Sequence, residues 1–328
     1  MNKLSLDRTL CIHVIATIAC LSAGTAPAET FPSKAVRIMV PVATGGGSDT
    51  VARHVAAGLA KVWGKGVVVE NKAGASGTIG TMEVVRSAPD GYTLIVENSS
   101  MVSNLAVQGK LPYDYAKDLT GIALLGVNPL VLVAHPSANI GSVRELVAAI
   151  KAKPDSLTYA SCGIGTPQHF AMERLKQMTG MQIAHTGYKG CSPAMTDLIG
   201  GQVPLALVSA NLAVPYINSG RLRALGVTTN SRYKLLPQTP TFEEQGFKPF
   251  NQANWSALMG PANMPPEIVA KIAADVQKVL ADPEVRTGLS TAGIEVLPKG
   301  TGNQVTAMIH DDAVRFIELA KSANIKAE

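Results

Sequence analysis

Thr44-Gly45-Gly46-Gly47-Ser48-Asp49-Thr50 follows an apolar run and opens a helical pattern. The first N–H groups of a helix lack intrahelical partners and sit at the positive end of the helix dipole, so such a loop can hold an anion. Its glycines let a ligand approach the main chain. Ser48 or Asp49 could equally be a plain helix cap in a flexible turn. Ser161-Cys162-Gly163-Ile164-Gly165-Thr166-Pro167-Gln168-His169 repeats the arrangement further on, with Pro167 near the helix start. Two such loops facing one another make a clamp for a small anion.

Other chemistries lack their residues. Neither loop has the G-x-G-x-x-G spacing and following acidic residue of a dinucleotide site, and no P-loop is present. The glycines between Gly74 and Gly80 follow a second strand and read as a turn into a helix. The histidines after residue 28 are His54, His135, His169, His185 and His310; none forms H-E-x-x-H or sits with Cys at zinc spacing. There is no G-x-S-x-G elbow. His169 could act as a base, but a helix-face histidine without a partner reads as structural, and Asp49 reads as a cap. No metal or cofactor is expected.

The elements that must carry these loops alternate. Residues 36–40 read as strand, 49–63 as helix with Val51, Val55, Leu59 and Val62 on one face, 67–70 as strand, 78–87 as helix and 93–96 as strand. This order implies a parallel sheet with right-handed crossovers. A long apolar run at 124–134, broken by Asn128-Pro129, leads to a second series. It has helices at 143–151, 168–178, 193–199 and 212–218, and strands at 157–160, 182–185, 203–208 and 222–227. Residues 230–254 show little periodicity and read as a return crossing to a strand at 255–259. Two helices end the chain, one over 268–280 and one over 304–323. The expectation is an α/β protein of two lobes, each a mostly parallel sheet flanked by helices, with two crossover strands and a ligand cleft between them. Lobe 1 comprises 29–128 and 255–328, and lobe 2 comprises 129–254. Ligands of open α/β sheets bind outside the carboxyl ends of the strands.

The 328 residues carry a net charge of +5 and only 5% aromatics. A nucleic-acid site would concentrate basic and aromatic residues, and a sugar site would need stacking aromatics, so both are poor fits. Lys3 and Arg8, an apolar run from Leu10 to Leu21, and Ala26-Pro27-Ala28 read as an export signal cleaved after Ala28. The run is short of the ~20 residues that span a bilayer. The alternative is an anchor, helical or through a lipid on Cys20. Cys11 and Cys20 leave with the signal, so Cys162 and Cys191 remain. An even pair in an oxidising compartment reads as a disulfide, against two buried free thiols.

The sequence resembles the Bug-type extracytoplasmic solute receptors of tripartite tricarboxylate transporters over essentially the whole mature chain. The resemblance rests on Phe31-Pro32-Ser33-Lys34-Ala35-Val36-Arg37-Ile38, the loop from Gly45 to Asp49, and the segment from Val69 to Gly77. It continues through Pro89-Asp90-Gly91-Tyr92-Thr93-Leu94, Pro112-Tyr113-Asp114 with Asp118-Leu119, and Tyr188-Lys189-Gly190 with Pro193-Ala194. It implies a two-lobed periplasmic-binding-protein fold that closes on a small carboxylate, held by main-chain amides and hydroxyls rather than an Arg clamp. By that likeness the first-lobe contacts are Thr44, Gly45, Gly46, Gly47, Ser48, Asp49, Thr50, Ser99 and Ser100. The second-lobe contacts are Ser161, Cys162, Gly163, Gly165, Thr166, His169 and Ser209. Cys162 and Cys191 stand where many relatives have Ser, Asn or Ala, and Gly187 where Pro often precedes the tyrosine, so ligand identity does not carry over. The expected partners are a small carboxylate and a membrane permease, with the receptor a monomer and no nucleic acid. The alternative is a periplasmic hydrolase or isomerase using His169 and Asp49.

Overall fold

The computed structural model describes residues 30–45, 47–297 and 300–326. Among the described residues nine strands, β1 (Val36–Val40), β2 (Val67–Asn71), β3 (Thr93–Asn98), β4 (Leu119–Ala134), β5 (Thr158–Ser161), β6 (Ala184–Gly187), β7 (Leu205–Ser209), β8 (Arg223–Val227) and β9 (Ala253–Pro261), form one mixed sheet in the order β2-β1-β3-β9-β4-β7-β5-β6, with β8 also paired to β4. The first half opens with β1 (Val36–Val40), α1 (Gly47–Trp63), β2 (Val67–Asn71), α2 (Thr78–Val85) and β3 (Thr93–Asn98). β1 pairs in parallel with both β2 and β3, as the alternation of strand and helix demands. The apolar stripe of α1 is real: Val51, Val55 and Leu59 are fully buried. Val62, assigned to the same face, is instead exposed; it lies in the last helical turn.

The second half repeats the plan with α5 (Val143–Ala152), β5 (Thr158–Ser161), α6 (Pro167–Thr179), β6 (Ala184–Gly187), α7 (Cys191–Ile199), β7 (Leu205–Ser209), α8 (Ala210–Asn218) and β8 (Arg223–Val227). Here β5 pairs in parallel with β6 and β7. Its core gathers Phe242, Phe250, Tyr159, Leu146 and Ile150.

Two long strands join the halves. β4 (Leu119–Ala134) runs antiparallel to β9 (Ala253–Pro261) from Leu119 to Pro129, then pairs with β7 and β8 from Leu130 onward. The partner exchange therefore falls immediately after Asn128-Pro129. Proline offers no N–H to a ladder, which suits the point where one set of partners ends. Each lobe keeps a parallel trio of strands, and the crossing strands, at the middle of the sheet, and β8 supply the antiparallel pairings.

Three helices went unread in the sequence: α3 (Ser100–Gln108), the single turn α4 (Tyr115–Asp118) and α10 (Pro283–Thr291), between α9 (Pro266–Ala281) and α11 (Gly302–Ser322). α10 carried a legible start signal. Asp282 caps it by accepting from Glu284 N at 2.8 Å and Val285 N at 3.3 Å, with Pro283 as the first helical residue. α11 starts on a capping box between Thr301 and Gln304. Residues 34–328 form one compact unit. No helix among the described residues is long and apolar enough to cross a membrane. The export signal, with Cys11 and Cys20, lies outside the described residues.

Candidate binding site

Strands β3, β5 and β7 each end in a polar residue that leads into a helix. Asn98 and Ser99 precede α3, Ser161 precedes the loop to α6, and Ser209 directly precedes α8. These carboxyl ends, with the loop before α1, border two adjoining chambers of 550 and 570 Å³ that share Ser100.

The 550 Å³ chamber is lined by Gly45, Gly47, Ser48 and Thr50 from one side and by Cys191, Ser192, Ser209 and Asn211 from the other. Asn98, Asn128, Asn254 and Ser256 complete its polar wall. Four helices begin there: α1 at Gly47, α3 at Ser100, α7 at Cys191 and α8 at Ala210. None of the described residues lining it is Asp, Glu, Lys, Arg or His. The wall therefore presents helix N-termini, hydroxyls and carboxamides, the donor set of an anion site.

The 570 Å³ chamber is lined by Gly163, Ile164, Gly165, Thr166, Tyr188, Lys189 and Gly190, facing Ser103, Asn104 and Val107 of α3. Gly165, at φ +70°, lies so close to α3 that a Cβ there would stand 2.4 Å from Val107 Cγ2. Thr166 caps α6 by accepting from His169 N, and its hydroxyl donates to the Gly163 carbonyl at 2.8 Å. The Cys162–Cys191 disulfide stands between the chambers, with Cys162 lining one and Cys191 the other.

Five of the expected contact residues line neither chamber. Thr44 lies in an exposed turn. Asp49 is buried, and its carboxylate accepts from Gly45 N, Arg53 and Asn71. Burial alone would raise its pKa, but these donors hold it below the usual carboxylate value. Its job is to shape the glycine loop. Ser99 Oγ donates to Asn254 Oδ1 at 3.2 Å. Ser161 Oγ donates to the Gly163 carbonyl and lies 2.7 Å from His185 Nε2.

His169 Nδ1 accepts from Gly165 N at 3.1 Å, which leaves the ring proton on Nε2, 3.7 Å from Glu173. Burial alone would raise the Glu173 pKa, but hydrogen bonds from His169 and Lys176 bring it down to about 2. The His169 ring stacks on His185 with centroids 3.9 Å apart. Burial, and the neighbouring His169, push the His185 pKa down to about 3. His169 thus braces the second loop from behind. Gly46 lies outside the described residues. The remaining expected residues, Gly45, Gly47, Ser48, Thr50, Ser100, Cys162, Gly163, Gly165, Thr166 and Ser209, come together around the chambers.

Asn98, Asn128, Asn211 and Asn254 also line the chamber, and sequence motifs do not mark them. The available signal was polarity where a strand ends or an apolar run breaks. No group of three His, Cys, Asp or Glu suited to a metal occurs among the described residues. A further groove of 320 Å³, between residues 233–235 and 286–296, is built from neither strand ends nor helix N-termini.

A description of the tripartite tricarboxylate transporter family receptor matches residues 51–325. The chain belongs to this family. It is therefore a solute-binding receptor by descent, and the enzyme alternative finds no support. Protein BugT of Bordetella pertussis is 31% identical over 325 residues, covering 98% of this chain and 99% of BugT. Among solved structures, an R. palustris protein with adipate superposes with a TM-score of 0.77 at 30% identity, covering 90% of this chain and 99% of that one. MatC from Rhodopseudomonas palustris with bound malate gives 0.73 at 30% identity, covering 88% and 99%. A TctC solute-binding protein from Polaromonas gives 0.80 at 27% identity, covering 89% and 100%. The two-lobed periplasmic-binding-protein fold follows from these structures.

Proposed function

We propose that this receptor captures a small carboxylate in the chambers between its lobes and delivers it to the membrane permease of a tripartite tricarboxylate-type transporter. The observation that carries the reading is the 550 Å³ chamber where four helices begin and none of the described residues lining the wall is charged. Main-chain amides and hydroxyls there meet a carboxylate without a counter-ion. Relatives solved with adipate and with malate support a carboxylate as the cargo.

The ligand contacts on this reading are the chamber-lining residues of the two loops, together with Gly46, which lies outside the described residues. The lobes are 29–128 with 255–328, and 129–254, hinged where β4 exchanges partners. The chain acts as a periplasmic monomer after its signal is removed behind Ala28. N-terminal sequencing of the exported protein would begin at Glu29; an uncleaved or lipid-modified start would overturn that assignment.

Thermal-shift screening of aliphatic and aromatic mono- and dicarboxylates tests the ligand class. A ligand at 100 times its dissociation constant stabilises the fold by about 2.7 kcal/mol, enough to raise the melting temperature by several degrees. At least one acid should do so. A response confined to sugars, metals or cationic amines would contradict the proposal.

A further inference from the structure

The carboxamides of the 550 Å³ chamber are not equally committed. Asn98 donates to Ser48 Oγ and accepts from Ser100 N. Asn254 donates to Ser209 and accepts from Ser99. Asn128 and Asn211 differ. Asn128 Nδ2 donates to Asn211 Oδ1 at 2.8 Å, while Asn128 Oδ1 is buried with no partner. The Asn128 residue is only 8% exposed. A buried amide oxygen left unmatched is costly, so this one, on a residue that lines the chamber, calls for a partner.

The pair is held firmly. Asn128 sits where β4 exchanges partners. Asn211, the second residue of α8, sits against Gly293, where a Cβ would lie 2.1 Å from Asn211 Cβ, so the backbone turn at Gly293 (φ +81°) presses directly on it. Exchanging O and N in both carboxamides keeps their mutual bond and turns the spare acceptor on Asn128 into a spare donor. A hydroxyl or a primary amide both donates and accepts, so it satisfies either arrangement. A methylene satisfies neither, and a carboxylate, which only accepts, satisfies one of the two.

Resting on the carboxylate reading above, we infer that Asn128 and Asn211 read a neutral hydroxyl or primary amide on the ligand. The preferred cargo is then a hydroxy- or carbamoyl-substituted carboxylate, not its unsubstituted parent. A site built around a hydrogen bond rejects the analogue that lacks it, because its own polar groups are left unpaired.

Calorimetric titration of the mature chain with glutarate, 2-hydroxyglutarate and glutaramate tests this. The substituted acid should bind at least about tenfold more tightly than glutarate, equivalent to ~1.4 kcal/mol. Asn128→Leu and, separately, Asn211→Ala should bring the ratio to within about threefold. Melting curves check that each variant folds, and Asn211→Ala, at a half-buried helix start, serves if Asn128→Leu does not. Equal binding of parent and substituted acids by the wild type, or a preference that survives both substitutions, overturns the inference alone. Failure of all three acids, and of every acid in the wider screen, overturns the carboxylate reading and this inference with it.

Discussion

Asn254 on β9 donates through Nδ2 to Ser209 Oγ at the end of β7, over 3.0 Å. The same side chain accepts from Ser99 at the end of β3, and Ser209 also accepts from Gln168 Nε2 at 3.3 Å. One carboxamide on a crossing strand therefore ties the strand end of one lobe to that of the other. Asn254→Ala removes both bonds and leaves the Ser99 hydroxyl, 1% exposed, without its side-chain partner. The expected loss is about 1–3 kcal/mol of folding stability, read from urea denaturation. A loss below about 0.5 kcal/mol, the range of an ordinary surface change, would show that the tie contributes nothing.

The disulfide should matter to both fold and chambers. Cys162 and Cys191 are 29 positions apart, and chain entropy for such a loop gives about 3–4 kcal/mol in an unstrained bridge. The Cys162→Ser, Cys191→Ser double variant should therefore melt well below the wild type and bind ligand more weakly, because the second loop loses its tether. Thiol labelling of the unreduced, denatured mature protein should detect no free thiol. Two labelled cysteines would refute the bridge.

Glu97 gives a pH signature. It is fully buried beside Asn98, with Thr81 Oγ1 donating to it, and burial pushes its pKa up to about 7. A carboxyl whose folded pKa is raised stabilises the fold fully below the unfolded value near 4.5, and that stability is lost as pH rises to about 7. Glu97→Gln should flatten the decline between those limits and raise stability at pH 8 by a few kcal/mol. Parallel declines in the two proteins would contradict the assignment.

His185 produces the opposite slope. Its folded pKa is about 3 against 6.5 unfolded, so its stabilisation is present above 6.5 and is lost as pH falls toward 3. The melting temperature should fall on acidification through this window. His185→Phe keeps a ring against His169 and Tyr159 and should weaken that dependence. An unchanged acid limb would show that another group carries it.

Much of this was legible because periodicity reports burial. β1 was read residue for residue at Val36–Val40, and both Gly loops were read as strand-to-helix junctions, since glycine runs after an apolar strand have few other uses. The roles of Asp49 and His169 were half legible. The reading of His169 as structural fits its bond from Gly165 N, whereas Asp49, read as a cap, lies inside α1 and accepts from Gly45 N ahead of it, which only coordinates could show. Asn128 and Asn211 were illegible as a pair because they are far apart in sequence and meet through the exchange of partners along β4. α3 escaped notice because Leu105, Ala106 and Val107 on its later turns give no clean stripe, and its burial comes from tertiary packing.

In the proposed site, amides of helix N-termini, not a cationic side chain, hold the carboxylate. Calorimetric titration of Gly47→Pro and Lys189→Ala, using the tightest acid from the thermal-shift screen, tests it most directly. Gly47 is the first residue of α1, where proline is tolerated, and a Cβ there meets nothing within 4 Å. The substitution should keep the fold, remove one N–H and fill the mouth of the chamber. Charge-assisted hydrogen bonds are worth about 1.5–3 kcal/mol each, so Gly47→Pro should weaken binding more than about tenfold. Lys189→Ala, at the edge of the second chamber, should stay within about tenfold of wild type. Loss of binding in Lys189→Ala with binding retained in Gly47→Pro would mean that a side-chain charge holds the anion.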